Sequence, residues 1–218
     1  MDQPSSNSPA EPTHYFVQRP QVPSRPWVIE AEVRGQHLTL VTDRGVFSYG
    51  KVDYGSRLLA EQMQLPEIGE LLDWGCGWGL IGIVAARMRP DLRVTMVDVN
   101  QRACELARAN ARRNGVEVEV LCGPAEKVLD GRSFDAIVVN PPISAGRAAV
   151  LSMMDWCAGA LREAGSFWMV AATRKGAKTL RRELEARYAV VERPAMRGGF
   201  RVYCCKKPLA REEDGCDE

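Results

Sequence analysis

The chain is poor in histidine, with only His14 and His37 among its 218 residues. Its seven cysteines, Cys76, Cys104, Cys122, Cys157, Cys204, Cys205 and Cys216, include no Cys-x-x-Cys pair. An odd number of scattered thiols, far in sequence from either histidine, supports neither a disulfide framework nor a zinc site. No metal is therefore expected. No run of about 18 apolar residues occurs, so no membrane-spanning helix and no membrane partner are expected. The start, Met1-Asp2-Gln3-Pro4, lacks the basic and apolar regions of a signal peptide, and a cytoplasmic location is the expectation. Charge of one sign is also missing: 29 basic and 28 acidic residues leave a net +1. That balance hides an asymmetry. Residues 209–218 carry −4, so the remaining 208 residues carry +5. Arginine supplies 23 of the bases, a bias that suits phosphate and planar ligands and equally follows from a GC-rich genome. With 45% hydrophobic and 26% charged residues, fibrous and wholly disordered classes are excluded.

The pattern divides the chain. Residues 1–13 are rich in Pro, Ser and Asn and read as a disordered lead. Residues 14–56 contain two alternating runs, Trp27 to Val33 and His37 to Thr42, joined at Arg34-Gly35, which predict a β-hairpin. A glycine-punctuated stretch follows, ending at Asp53-Tyr54-Gly55-Ser56. Over residues 57–208, apolar strands alternate with amphipathic helices, and the acidic tail 209–218 reads as disordered. Repeated strand–helix units predict a doubly wound α/β fold, a seven-stranded, mostly parallel sheet of Rossmann-like type covered on both faces. The N-terminal hairpin is an extension, and Tyr188 to Glu192 with Phe200 to Cys205 form a closing antiparallel hairpin.

Asp73-Trp74-Gly75-Cys76-Gly77-Trp78-Gly79 lies between the first strand and first helix of this series. Its glycines permit a tight turn and close backbone approach to a ligand, and the helix that follows aims its first amides at the same place. About twenty residues on, Asp98 ends the second strand, where an acid suits a ribose diol. The spacing is G-x-G-x-G rather than the G-x-G-x-x-G of a dinucleotide site. Asp73 beside the loop would repel a pyrophosphate but could receive an ammonium group. These charges favour S-adenosyl-L-methionine, which carries an ammonium and no phosphate, over NAD.

Asn140-Pro141-Pro142-Ile143 ends the fourth strand, at the edge of a doubly wound sheet that faces the ligand crevice. Two prolines fix φ and remove two backbone donors. What remains is a rigid row of acceptors, the Asn140 side-chain oxygen and the Pro141 carbonyl. An exocyclic amine on a planar base can give both its N–H groups to such an edge. Its nitrogen lone pair is then aimed at the methyl group without a strong base, by positioning and electrostatics.

Together, Asp73 to Gly77, Val97 to Ala103 and Asn140 to Arg147 resemble the class I S-adenosylmethionine-dependent methyltransferases. More narrowly they resemble the methyltransferase small domain group, which includes ribosomal RNA guanine-N2 methyltransferases. The resemblance runs over residues 14–206 and takes in Gly45 to Ser48, Asp53 to Ser56 and Gly198 to Val202. It implies that Asp73, Gly75, Gly77 and Gly79 hold the methionine part of the cofactor. Asp98 would take the ribose hydroxyls, with Asn100 close by, and the segment around Ala125 would border the adenine. Asp53, Gly55 and Ser56 would close over the cofactor from the other side, and Asn140, itself beside the cofactor, would hold the target base together with Pro141, Pro142 and Ile143. Three positions depart from the group's pattern. Pro124 stands where many relatives carry Asp or Asn, Ile143 where amine methyltransferases often have an aromatic, and Arg147 where a Lys is common.

The implied function is methyl transfer to an exocyclic amine, guanine N2 in ribosomal RNA, with rRNA or a ribosomal subunit as partner. Protein glutamine, adenine N6 or a small molecule stay open as substrates, as does a non-catalytic binding platform with this fold. Candidate RNA contacts are Arg147, Arg174, Lys175, Lys178, Arg193, Arg197 and Arg201, with Phe47, Tyr54, Trp78 and Phe200 for stacking. Trp27 and Trp168 read as core. Further grip on the substrate would come from the N-terminal arm, the domain surface or a second copy in a homodimer.

Overall fold

The structure, a computed structural model, describes residues 18–141, 146–173 and 177–209. Pro142, Ile143, Arg174, Lys175, the lead 1–13, the tail beyond Leu209 and the side chain of Lys178 lie outside that description. The elements run β1 (Trp27–Val33), β2 (Gln36–Thr42), α1 (Tyr54–Gln62), β3 (Gly69–Trp74), α2 (Leu80–Met88), β4 (Leu92–Asp98) and α3 (Gln101–Arg113). They continue β5 (Glu119–Cys122), α4 (Ala125–Val128), β6 (Phe134–Val139), α5 (Arg147–Ala160), β7 (Leu161–Ala172), α6 (Ala177–Glu185), β8 (Tyr188–Arg197) and β9 (Phe200–Pro208).

Seven strands form one sheet in the order β5-β4-β3-β6-β7-β9-β8. The first five are parallel, β9 is antiparallel to β7, and β8 is antiparallel to β9. Alternate residues of the central strands serve opposite faces, which explains their unbroken apolar runs. Leu71, Ala136, Val138, Trp168 and Val170 pack under α1, α2 and α3; Leu72, Ile137, Val139, Phe167 and Met169 pack under α4, α5 and α6. Strand order reverses between β3 and β6, so the chain leaves these neighbours in opposite directions. Such a switch point opens a crevice beyond the carboxyl ends of the strands.

The hairpin β1–β2 is a separate two-stranded sheet. Side chains of α3 cover the open edge of β2. Asn114 accepts the Thr39 N–H at 3.1 Å and donates to the Thr39 carbonyl at 2.9 Å. One helical turn earlier, Asn110 does the same to Val41 at 2.8 and 2.9 Å, and also donates to the Trp78 carbonyl at 2.8 Å. Two amide side chains four residues apart thus stand in for a neighbouring strand, and the edge is left with few free backbone groups. Arg34, in the hairpin turn, donates to the carbonyls of Ala60 and Met63 at the end of α1.

Two expectations change. Helix α1 begins at Tyr54, because Asp53 caps it by accepting the Ser56 N–H at 2.8 Å. Trp27 is not core: it stands 53% exposed at the open end of the hairpin, whereas Trp168 is buried.

Asn110 is fully buried, so Asn110→Ala strands Val41 and the Trp78 carbonyl. At about 1–3 kcal/mol per unsatisfied buried group, the expected loss is roughly 3 kcal/mol. Urea unfolding checks it, and amide hydrogen exchange should accelerate first at Thr39 and Val41.

Candidate active site

Four segments meet at the carboxyl ends of β3, β4 and β6. The glycine loop is tied to the end of β4, with the amides of Gly75 and Cys76 donating to the Val97 carbonyl at 2.8 and 3.1 Å. Gly75 and Gly77 both have positive φ, and a Cβ on either would point into open space. Here the absence of a side chain keeps a cradle clear. Gly79 does another job. A Cβ there would meet Ile83 at 3.1 Å and Ala107 at 3.3 Å, so Gly79 lets α2 and α3 approach.

Two carboxylates flank the loop. Asp98 accepts the Gly77 N–H at 2.9 Å and the Asn100 N–H at 2.9 Å. Burial raises its pKa, and the amides of Asn100, Gly77 and Val99 oppose the rise. Asp73 is 1% exposed and accepts the Gly82 N–H at 2.9 Å. Burial pushes its carboxyl up to about 7, against the pull of the Gly82 amide and with the help of the Asp98 charge. Neither acid has an ion-pair partner among the described residues. A pyrophosphate would meet two uncompensated acids here, whereas hydroxyl donors and an ammonium would be welcomed.

At the end of β6, the Asn140 amide nitrogen donates to Ser56 Oγ at 2.8 Å and to Asp53 Oδ2 at 3.2 Å. The Asp53 carboxylate, an acceptor, assigns the nitrogen to this end of the amide, and the Ser56 hydroxyl serves as its second acceptor. Oδ1 receives no donor among the described residues and is left as a fixed acceptor. Asp53 therefore caps α1 and holds Asn140 with one oxygen. Gly55 fits under Phe200, whose ring would lie 3.0 Å from a Cβ at that position. Tyr54 and Phe200 pack with ring centroids 5.8 Å apart, and Gly198 lies against the Tyr54 ring too closely to carry a side chain. The β8–β9 turn thereby closes on the start of α1.

Asp53, Gly55, Ser56, Asp73, Gly75, Gly77, Asp98 and Asn140 thus come together, whereas several other expected positions have different work. Asn100 is 1% exposed; it caps α3 by accepting the Ala103 N–H at 3.2 Å and donates to the Gly45 carbonyl at 2.7 Å. It is a structural clamp. The Ala125 side chain is buried in the second core, leaving only its backbone for a ligand. Trp78 is 4% exposed and donates its indole N–H to the Phe47 carbonyl at 2.9 Å, so it cannot stack on a base. Phe47 is 43% exposed. Arg197 is exposed, and Arg147 pairs with Glu183 at 2.6 Å. Pro141 also lines a cavity of about 300 Å3 on the α5–α6 side, with Val150, Leu151, Met169 and Leu180.

The family model of the methyltransferase small domain matches residues 37–204. The chain belongs to that family. This methyltransferase small domain is 34% identical to YbxB of Bacillus subtilis over 197 residues, 89% of this chain and 98% of that protein. It is 32% identical to ribosomal RNA small subunit methyltransferase C of Ectopseudomonas mendocina over 204 residues, 88% of this chain and 60% of that one. Against the Pseudomonas aeruginosa protein of the same name, identity is 39% over 64% of this chain and 39% of the relative. The chain thus spans 60% and 39% of the length of these two named methyltransferases, less than two thirds of each. Among solved structures, the T. thermophilus 16S rRNA N2 G1207 methyltransferase in complex with AdoMet and guanosine aligns with a TM-score of 0.74 at 26% identity. That match covers 86% of this chain and 52% of the other. A ribosomal protein L11 methylase from Lactobacillus delbrueckii, 17% identical with a TM-score of 0.57 over 70% of this chain and 76% of its own, shares the fold alone.

The state of Asp73 has a readable consequence. Its carboxyl keeps a proton up to about pH 7 when folded, against an ordinary value of 3.8. A raised pKa stabilises the fold below the ordinary value, and that stability is lost as pH rises through the folded one. Between about pH 5 and pH 8 the wild type should lose unfolding free energy relative to Asp73→Asn, which has no charge to bury. Urea titrations across that range check the slope, and parallel curves would contradict it.

Proposed function

We propose that the chain is an S-adenosylmethionine-dependent methyltransferase that modifies guanine N2 in ribosomal RNA. The observation that carries this reading is the anchored Asn140. Its nitrogen is held by Asp53 and Ser56, which leaves an oxygen acceptor beside two desolvated acids that suit a cationic, phosphate-free nucleoside. The kinship with rRNA methyltransferases, one of them solved with guanosine, supports the choice of base.

S-adenosylmethionine would supply an electrophilic methyl carbon bonded to a sulfonium. Asp98 would accept its ribose hydroxyls. Gly75 and Gly77 would let the backbone come close, and Asp73, ionised by a nearby ammonium, would favour the amino-acid end. Asn140 Oδ1 and the Pro141 carbonyl would each accept one N–H of the guanine amine. Those bonds hold the nitrogen out of the plane of conjugation and strengthen its lone pair. They also grow stronger as positive charge builds on that nitrogen, and so stabilise the transition state selectively. The surplus proton is then acidic enough to leave to water, and no strong base is needed.

Asn140→Ala should lower turnover by at least about a hundredfold, the scale of a lost preorganised polar contact, with cofactor affinity within several-fold of wild type. Tritiated methyl transfer to undermethylated ribosomal subunits, naked rRNA and protein fractions tests substrate and residue together. Label confined to protein or small molecules would refute the guanine reading, and an active Asn140→Ala would refute the acceptor edge. Cofactor affinity should also rise as pH increases from about 6 to 8, because Asp73 must lose its proton to meet an ammonium. Calorimetry should find this dependence flattened in Asp73→Asn.

A further inference from the structure

We propose that the aromatic rim of the crevice, centred on Trp27 and extended by Phe47 and Tyr54, stacks unpaired nucleobases that flank the methylated nucleotide. This inference rests on the reading of the chain as an RNA methyltransferase and adds how such a substrate is gripped.

Exposed aromatic side chains are not spread over the molecule. Among the described residues the strongly exposed ones are Trp27 at 53%, Phe47 at 43% and Tyr54 at 46%, all within 28 residues of sequence. They belong to one end of the fold. The turn of the β1–β2 hairpin is bound to the last residues of α1 through Arg34. The open end, where Trp27 pairs with Thr42, is tied through the Gly50 N–H and Thr42 Oγ1 to the loop that leads into Asp53, which holds Asn140. A Cβ on Gly50 would stand 3.9 Å from the Trp27 ring, which links that ring to the loop leading into Asp53.

The rim is rigid where it displays these rings. Thr42 Oγ1 accepts the Gly50 N–H at 2.9 Å and donates to the Trp27 carbonyl at 3.3 Å. The Phe47 carbonyl is held by the Trp78 indole, and Tyr54 is braced by Phe200. Large apolar faces held in water by a fixed backbone mark an interaction surface.

The charges beside them favour a polyanion. Arg25, Arg44 and Lys51 are exposed on the same stretch, and none forms an ion pair among the described residues. The nearby acids are engaged: Asp43 accepts from Ser24, Arg25 and Arg44 and lies 3.8 Å from Arg102, and Asp53 holds Ser56 and Asn140. Glu30 and Glu32 lie further along the hairpin, facing Thr39 and His37. Rings interleaved with free cations are how single-stranded nucleic acid is held, with bases on ring faces and phosphates on the bases between them. A paired helix hides its base faces and could not use the rings.

The test compares a fluorescent RNA hairpin carrying an unpaired guanine-containing loop with the same stem fully paired. Trp27→Ala should weaken loop binding about tenfold, as loss of one stacked base does, with little change for the paired stem. Trp27→Tyr should restore most of the affinity. Circular dichroism and cofactor calorimetry would establish that each variant is folded. In the wild type, loop RNA should also shield Trp27 from acrylamide, and the effect should vanish in Trp27→Tyr, since Trp74, Trp78 and Trp168 are buried and the half-buried Trp156 packs against Trp74 on α5. Unchanged loop affinity in Trp27→Ala, or shielding that follows protein concentration rather than RNA, would overturn the proposal, the latter pointing to a protein contact. Shielding by RNA in an enzyme that methylates only protein would instead overturn the guanine reading and leave the stacking surface standing.

Discussion

The arrangement of the crevice depends on one side chain being held by one end. Asn140 could present either its N–H pair or its oxygen to a ligand, and the two orientations have opposite chemistry. A donor edge would repel an amine, and an acceptor edge would bind it. Asp53 and Ser56 remove the ambiguity by occupying the nitrogen. They can do so because Asp53 also starts α1, which fixes its carboxylate at the first turn. The cap and the orientation of Asn140 are then a single feature joining residues 87 positions apart, and the sequence between them has to fold correctly before it exists.

The acids around the glycine loop constrain the ligand from the other side. A carboxylate withdrawn from water without a cationic partner is costly, and the fold carries two close together. The amides of Gly77, Asn100 and Gly82 recover part of that cost. The remainder is available to whatever brings donors or positive charge into the crevice. The same electrostatics that weaken the empty fold at neutral pH therefore select a cationic nucleoside over a pyrophosphate, and the selectivity needs no steric filter.

Much of this was legible in the sequence because it is local. The strand–helix alternation, the glycine loop with Asp98 in register, and Asn140 at a strand end all follow from periodicity and spacing. The failures have a common cause, since each turned on a contact between distant segments. Tyr54-Gly55-Ser56 reads as loop, yet it is the first turn of α1, and Gly55 is required there by the Phe200 ring. Trp27 sits in an alternating run and reads as core, but at the hairpin's open end the described residues leave it half exposed. Trp78, beside the glycines, reads as a stacking residue and is instead bound to Phe47. The bond from the Asn100 side chain to the Gly45 carbonyl is likewise invisible in the spacing. Nothing in the pattern of α3 announces that Asn110 and Asn114 serve β2; their four-residue spacing on an otherwise charged helix is the one available sign.

Those two asparagines also explain why a small hairpin can act as part of a catalytic site. A two-stranded ribbon is marginal alone and would sway if joined only by its loops. Helix α3 holds β2 through Asn110 and Asn114, the Gly45 segment through Asn100, and the glycine loop through the bond from Asn110 to Trp78. One helix thus references the rim, the loop and the end of β4 to each other. Displacing the hairpin would require breaking buried amide bonds that have no water to replace them. The distance from the outer rings to Asn140 is therefore set by the fold and not by the ligand. A rigid spacing of that kind favours substrates whose flanking bases can already splay, because the protein has little freedom to follow a stacked helix.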